Sequence, residues 1–199
     1  MAFQSDCLNF NVLVVSDTHN CDDADLERIA EKAREFNCPV IIHAGDMIDK
    51  HLGHPLFSDF EVYVFLTHQN KHVPANLPSN WTLLDEDNCL IDIGGHRFYV
   101  NHYLGVDVLH TKTHALLSGN LSDGEVYQIV GDILNRYKRV EYAIFGHSHH
   151  TFHHCNYGVA LVNPGAWEFK RTYALLFLNE IKQMKLLFST MTVNGELVE

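Results

Sequence analysis

Val12-Leu13-Val14-Val15 runs without a break into Ser16-Asp17-Thr18-His19, and Val40-Ile41-Ile42-His43 runs into Ala44-Gly45-Asp46. Between them Asp22 and Asp23 offer an N-cap. Leu26, Ile29, Ala30 and Ala33 then follow the i, i+3, i+4, i+7 spacing of one helix face. Cys38-Pro39 stops that helix, because proline disfavours a helical residue before it. Short continuous apolar runs bounded by polar loops read as buried strands. The segment is therefore a strand-helix-strand unit, and its two strands are expected to be parallel.

The same grammar recurs downstream. Val62-Tyr63-Val64-Phe65-Leu66 ends in Thr67-His68-Gln69-Asn70, Arg97-Phe98-Tyr99-Val100 in Asn101-His102, and Tyr142-Ala143-Ile144-Phe145 in Gly146-His147-Ser148-His149. In open α/β sheets the chemistry sits beyond the carboxyl ends of the strands. Residues far apart in sequence are thus expected to meet at one point. They are carboxylates, imidazoles and amides, the donor set of borderline divalent metals.

The remaining segments set the architecture. Residues 47–60 read as a loop with a short helix, and Lys71 to Asn80, with Pro74 and Pro78, as a loop. Trp81 to Leu84, Cys89 to Ile93 and Arg97 to Val100 read as a meander of hairpins, with Gly94-Gly95 in a turn. Residues 103–124 contain a helical stretch near Thr111 to Leu117. From Asp123, the residues Val126, Ile129, Val130, Ile133, Leu134 and Tyr137 line one side of a helix. Val159 to Val162, Tyr173 to Leu178 and Lys185 to Thr190 read as strands, with turns at Asn163-Pro164-Gly165 and Asn179-Glu180. The expectation is one domain over residues 1–199, of mixed α/β (α+β) class: a two-sheet β-sandwich flanked by helices.

Composition narrows the function. The 199 residues are 46% hydrophobic and 20% charged, which suits one domain with a real core. The net charge of -11 opposes broad electrostatic binding to extended nucleic acid or to an anionic membrane. No apolar stretch approaches the ~18 residues of a bilayer span. The first residues lack the basic region of a signal peptide. Cys7, Cys21, Cys38, Cys89 and Cys155 form no CxxC pair and are odd in number, so free thiols and a cytoplasmic location are expected. The fifteen histidines are spread along the chain rather than gathered in a terminal tag.

Each motif has its own reading. In an extended strand tip, Asp17 and His19 point to the same side and can hold one ion. Gly45 lets the backbone approach an ion, and Asp46 can bridge two ions with its two oxygens. His43 lies inside a strand and reads as a core residue that orients a ligand. His147 and His149 can clamp one metal or split between two, whereas His150, His153 and His154 read as bystanders.

In this order the elements resemble those of the calcineurin-like metallophosphoesterases, most of all their small single-domain prokaryotic phosphodiesterases. Asn163-Pro164-Gly165 adds to that resemblance. It implies a β-sandwich flanked by helices and a dinuclear site. In that site Asp17, His19 and His149 would hold the first metal, Asp46 would bridge, and His102 and His147 would hold the second with an amide from the third strand end. One segment departs: the family has Gly-Asn-His/Cys-Asp/Glu where this chain has Thr67-His68-Gln69-Asn70. One alignment makes His68 the ligand and a shifted one makes it Asn70. Neither supplies an imidazole to assist the leaving group, for which His72 is the remaining candidate.

The expected function is hydrolysis of a small phosphodiester or phosphomonoester by a metal-bridging hydroxide, with Asp46 and His72 as catalytic residues. Two divalent transition-metal ions are implied, Mn²⁺ first, with Fe, Co, Ni and Zn suited to the same donors. Tyr103, Lys112 and His114 are candidate substrate contacts in a lid over residues 103–124. The alternative is a non-catalytic metal-binding scaffold for protein partners, as in the retromer scaffold subunit. No membrane partner is expected, and the oligomeric state, a homo-oligomer included, is left open.

Overall fold

Asp22 caps α1 (Asp23–Glu35), its carboxylate accepting the Asp25 N–H at 2.9 Å. The apolar face of α1 is buried as its spacing requires. On either side in sequence lie β1 (Phe10–Val15) and β2 (Val40–His43), paired in parallel with Val12 opposite Val40. The computed structural model describes residues 10–103, 123–178, 185–191 and 197–198. The expected helix near Thr111 to Leu117, with Lys112 and His114, lies outside them.

Beyond β2 come β3 (Glu61–Phe65), β4 (Trp81–Leu84), β5 (Leu90–Ile93) and β6 (His96–Val100). They are followed by α2 (Asp123–Arg136), β7 (Tyr142–Ile144), β8 (Thr151–Asn156) and β9 (Val159–Pro164). The chain closes with the single-turn α3 (Trp167–Lys170), β10 (Thr172–Leu178), β11 (Lys185–Met191) and β12 (Leu197–Val198). Two mixed sheets form, in the orders β12-β11-β10-β1-β2-β3-β4 and β5-β6-β7-β9-β8.

Alternation along β1 explains the layering. Leu13 and Val15 join Leu26, Ile29, Ala30 and Ala33 of α1 in one core cluster. Val12 and Val14 join Phe98, Val100, Ile144 and Val162 of the second sheet in another, which also includes Val126, Ile129, Val130 and Ile133 of α2. A period of two thus turns one strand toward a helix on one side and a sheet on the other. This is the α/β sandwich expected from the sequence.

Three details differ. Trp81–Leu84 is not part of a hairpin meander, because β4 lies parallel to β3, with Val62 opposite Trp81. The intervening residues 66–80 form a crossover, far longer than a hairpin loop. Only β5 and β6 make the expected hairpin, with Gly94 and Gly95 both at positive φ (57° and 82°). The third is β8, where the sequence pattern predicts no strand. It is an edge strand paired antiparallel to β9 through a Tyr157-Gly158 turn. Its two imidazoles, His153 and His154, hid the signal, since the strand carries no buried apolar run.

Candidate metal centre

Every parallel strand that ends in a polar tip delivers it to the same end of the sandwich. The tips are held by backbone bonds: Asp17 N–H to Gly45 O at 3.0 Å, His19 N–H to Asp46 O at 2.9 Å, and Gly146 N–H to His102 O at 3.2 Å. The tips are not extended, as the Asp-x-His reading assumed. Asp17 (φ 55°), His19 (32°), Asp46 (58°), His147 (65°) and His149 (59°) are all left-handed, five of the nine described non-glycine residues with positive φ. Such a backbone costs on the order of 1–3 kcal/mol per residue and clusters where function demands it. Here it curls each tip so that its side chain turns into the site.

Two groups of donor atoms result: Asp17, His19 and His149; and Asp17, Asp46 and His102. In the first, His149 Nε2 lies 3.1 Å from Asp17 Oδ1, and His19 Nε2 lies 3.4 Å from His149 Nε2 and 3.7 Å from Asp17 Oδ1. In the second, His102 Nε2 lies 3.2 Å from Asp46 Oδ2 and 3.9 Å from Asp17 Oδ1. Donors about 2.0–2.2 Å from one ion stand roughly 3–4 Å from one another.

The chemistry of these atoms suits a cation. His102 Nδ1 donates to Ala44 O at 2.7 Å, so Nε2 presents a lone pair. That lone pair faces a carboxylate oxygen, and both Asp17 Oδ1 and His102 Nε2 are buried without a hydrogen-bond partner. Acceptors converging in the dry interior repel unless positive charge sits among them. Burial pushes the Asp17 carboxyl up, but His149, His19 and His102 outweigh it and hold the carboxyl far below its usual range. At His102 burial opposes protonation, yet Asp46 and Asp17 overcome it and raise the imidazole pKa. Both shifts express the same demand for a cation, and the donor set fits a divalent transition metal.

His147 stands beside the second group: its N–H donates to Asp17 Oδ2 at 3.2 Å and its ring centroid is 5.3 Å from that of His102. Burial, then the neighbouring His102, lowers its pKa, which keeps the imidazole neutral. His43 is fully buried and pushed down to about 3 by that burial. Its Nδ1 accepts the Gly45 N–H at 3.3 Å and its Nε2 contacts Thr18 Oγ1 at 3.0 Å, so it ties the first tip to the second.

The third strand tip sends neither His68 nor Asn70 into the two donor groups. Asn70 is not aimed at either group: its carboxamide oxygen accepts the Thr67 N–H at 3.0 Å, and its nitrogen donates to Met47 O at 2.7 Å and Asp49 Oδ1 at 3.0 Å. His68 is exposed and outside both groups, with Nδ1 2.8 Å from the Tyr103 hydroxyl. Two side chains of this tip reach the site: the Thr67 hydroxyl donates to Asp46 Oδ1 at 2.6 Å, and Gln69 Nε2 lies 3.4 Å from His19 Nδ1. His72 supplies a backbone N–H to Asp49 Oδ2 at 2.7 Å, and its side chain is exposed. His150, His153 and His154 belong to neither group of donors.

Sequence reading also missed how Asn163 works. Its buried amide donates to Gly146 O at 2.8 Å and Ser148 Oγ at 3.0 Å, and its oxygen accepts the Gly165 N–H at 2.8 Å. It staples the loop that carries His147 and His149. Asn163→Ala leaves the buried Gly165 N–H without its partner, at about 1–3 kcal/mol. It also removes one bond each from Gly146 O, which keeps the Ser148 N–H, and from Ser148 Oγ, which keeps the His150 N–H. The expected outcome is a melting temperature lower by several degrees and weaker Mn²⁺ binding by calorimetry. An unchanged affinity would show that the loop holds its shape without the staple.

A sequence profile of the calcineurin-like phosphoesterase superfamily domain matches residues 10–181. No curated protein is significantly similar in sequence. Among solved structures, a predicted phosphoesterase from Streptococcus pneumoniae is 14% identical with a TM-score of 0.59, over 96% of this chain and 94% of that one. An archaeal phosphodiesterase is 17% identical with a TM-score of 0.59, over 90% and 99%. Zn²⁺-complexed Vps29 from Entamoeba histolytica is 18% identical with a TM-score of 0.63, over 95% and 96%. At such identities the likeness is one of fold.

Proposed function

The chain belongs to the calcineurin-like phosphoesterase superfamily, and we propose that it hydrolyses phosphodiester bonds of small substrates at a two-cation centre. The observation that carries this reading is the pair of donor groups sharing Asp17, in which the buried Asp17 Oδ1 and His102 Nε2 have no hydrogen-bond partner. Asp17, His19 and His149 would hold one cation. Asp46 and His102, with His147 beside them, would hold the other. Such cations, Mn²⁺ foremost, supply Lewis acidity that neutralises phosphate oxygens and acidifies a water.

The protein's own groups then set the geometry. Thr67 pins Asp46 Oδ1, so Asp46 presents Oδ2 to the centre. Tyr103 stays protonated, its pKa raised to about 12 by burial and by Asp46 and Asp17. Its hydroxyl can therefore donate to His68 Nδ1, which leaves the proton on Nε2. We assign leaving-group assistance to His68 in place of His72, because His68 directly follows Thr67 at the site's edge.

The test is hydrolysis of bis(p-nitrophenyl) phosphate by metal-stripped protein titrated with Mn²⁺, with p-nitrophenyl phosphate alongside. Activity that saturates at two equivalents is the expected result, and the ratio of the two rates assigns diester or monoester preference. A second reading, a metal-binding scaffold for protein partners, is favoured by Thr67, which turns its hydroxyl to Asp46 rather than adding a donor. Stoichiometric metal binding with no hydrolysis of either ester would select it.

A further inference from the structure

Phe169 is 64% exposed on the surface beside the metal centre, its ring centroid 5.2 Å from that of His149. The other exposed large apolar side chains among the described residues differ. Tyr127 and Tyr157 meet each other edge to face, ring centroids 5.5 Å apart, and Val73 and Leu90 are little more than one-third exposed.

The exposure is built in. Neighbouring Trp167 is fully buried, and its backbone N–H donates to Ser16 O at 3.0 Å. Glu168 N–H donates to Asp17 O at 3.2 Å, which fixes α3 to the backbone of a candidate metal ligand. At the other end Arg171 turns left-handed (φ 49°), and its guanidinium donates twice to Asp25 Oδ1, at 3.0 Å each. With both ends of the turn fastened, Phe169 has no route into the interior. Across the site the Tyr103 ring lies 5.0 Å from His147 and 4.7 Å from His102. Two aromatic rings therefore flank the imidazoles, one beside each donor group.

We infer that Phe169 is a substrate-contacting, specificity-determining residue, and that the substrate is a small phosphoester carrying a flat aromatic ring, aryl or nucleobase. This rests on the phosphoesterase reading above. A phosphate held among these imidazoles places its organic substituent within reach of the Phe169 face. A flat ring gains both apolar burial and ring stacking there, and a small alkyl group gains little of either. The acidic chain, at -11, favours a single small ester over a polyanion.

The experiment compares three diesters of Mn²⁺-loaded protein with one leaving group, p-nitrophenol, and methyl, phenyl or thymidine 5′ as the retained group. The expected kcat/KM ratio of phenyl or thymidine over methyl is on the order of tenfold in the wild type. It falls toward unity in Phe169→Ala and returns in Phe169→Trp, and the larger of the two ratios separates aryl from nucleobase. Calorimetric binding of phenylphosphonate against methylphosphonate repeats the comparison without turnover. Hydrolysis with the same ratio in wild type and Phe169→Ala would overturn the inference and leave the phosphoesterase standing. Absent hydrolysis with a Phe169-dependent preference for phenylphosphonate would do the reverse. Equal binding of the two phosphonates by the wild type would also overturn it.

Discussion

Asp46→Ala is expected to abolish Mn²⁺-dependent phosphoesterase activity, with kcat/KM lower by about a thousandfold or more. Asp46 Oδ2 sits 3.2 Å from His102 Nε2 and 3.8 Å from His19 Nε2, between the two donor groups. Its loss removes one carboxylate from the second group and the negative charge that both cations would share. The effect on the metal-free protein is smaller. Burial and the Asp17 charge push the Asp46 carboxyl up, but His102 and Thr67 outweigh them and hold it below its usual range. Deleting it gives up those two contacts while removing the repulsion from Asp17, so the metal-free protein should be only modestly less stable. The wild type should therefore gain melting temperature with Mn²⁺, by linkage, and Asp46→Ala should gain almost none. A variant that keeps both the thermal gain and wild-type turnover would remove Asp46 from the centre.

Gly45→Ala is expected to damage the second donor group while the fold survives. Gly45 has φ 108°, a region that strains any residue with a side chain. A Cβ there would stand 2.5 Å from His102 Nδ1 and 2.7 Å from its Cγ. The ring is pinned by its bond to Ala44 O at 2.7 Å, and it is wholly buried, so it can yield only by leaving its place. The backbone strain costs about 1–3 kcal/mol, a melting temperature lower by roughly 2–8 °C for a chain of this size. The larger effect is on metal: titration calorimetry should show one of two equivalents lost, and activity should fall at least a hundredfold. Two equivalents bound with native affinity would mean that the loop absorbs the methyl group elsewhere.

The buried strands and the helix α1 were legible because burial on both faces writes continuous apolar runs, and because Asp22 and Pro39 punctuate the helix. Where burial is one-sided the text was weaker: β8, exposed at a sheet edge, carries histidines instead of a run. The parallel placement of β4 was hidden for another reason. Residues 66–80 look like a loop whether the chain returns beside its last strand or crosses to start afresh. For the site, the residue types and their places after strands were readable, and the superfamily follows from them. Asn70 and His72 were plausible by chemistry alone. Asp49 removes both from the centre by accepting the Asn70 amide and the backbone N–H of His72.

Sequence by itself thus determined which segments are buried strands and which side chains wait at their tips, since both are local properties of composition and spacing. Tertiary structure alone decided which tip residue turns inward. Thr67 rather than Asn70 faces Asp46, the ligand tips are left-handed, and Asn163 and Phe169 reach loops far from them in sequence. Hydrogen bonds between segments settle these choices, and no residue carries in its own identity the partner that another segment will bring.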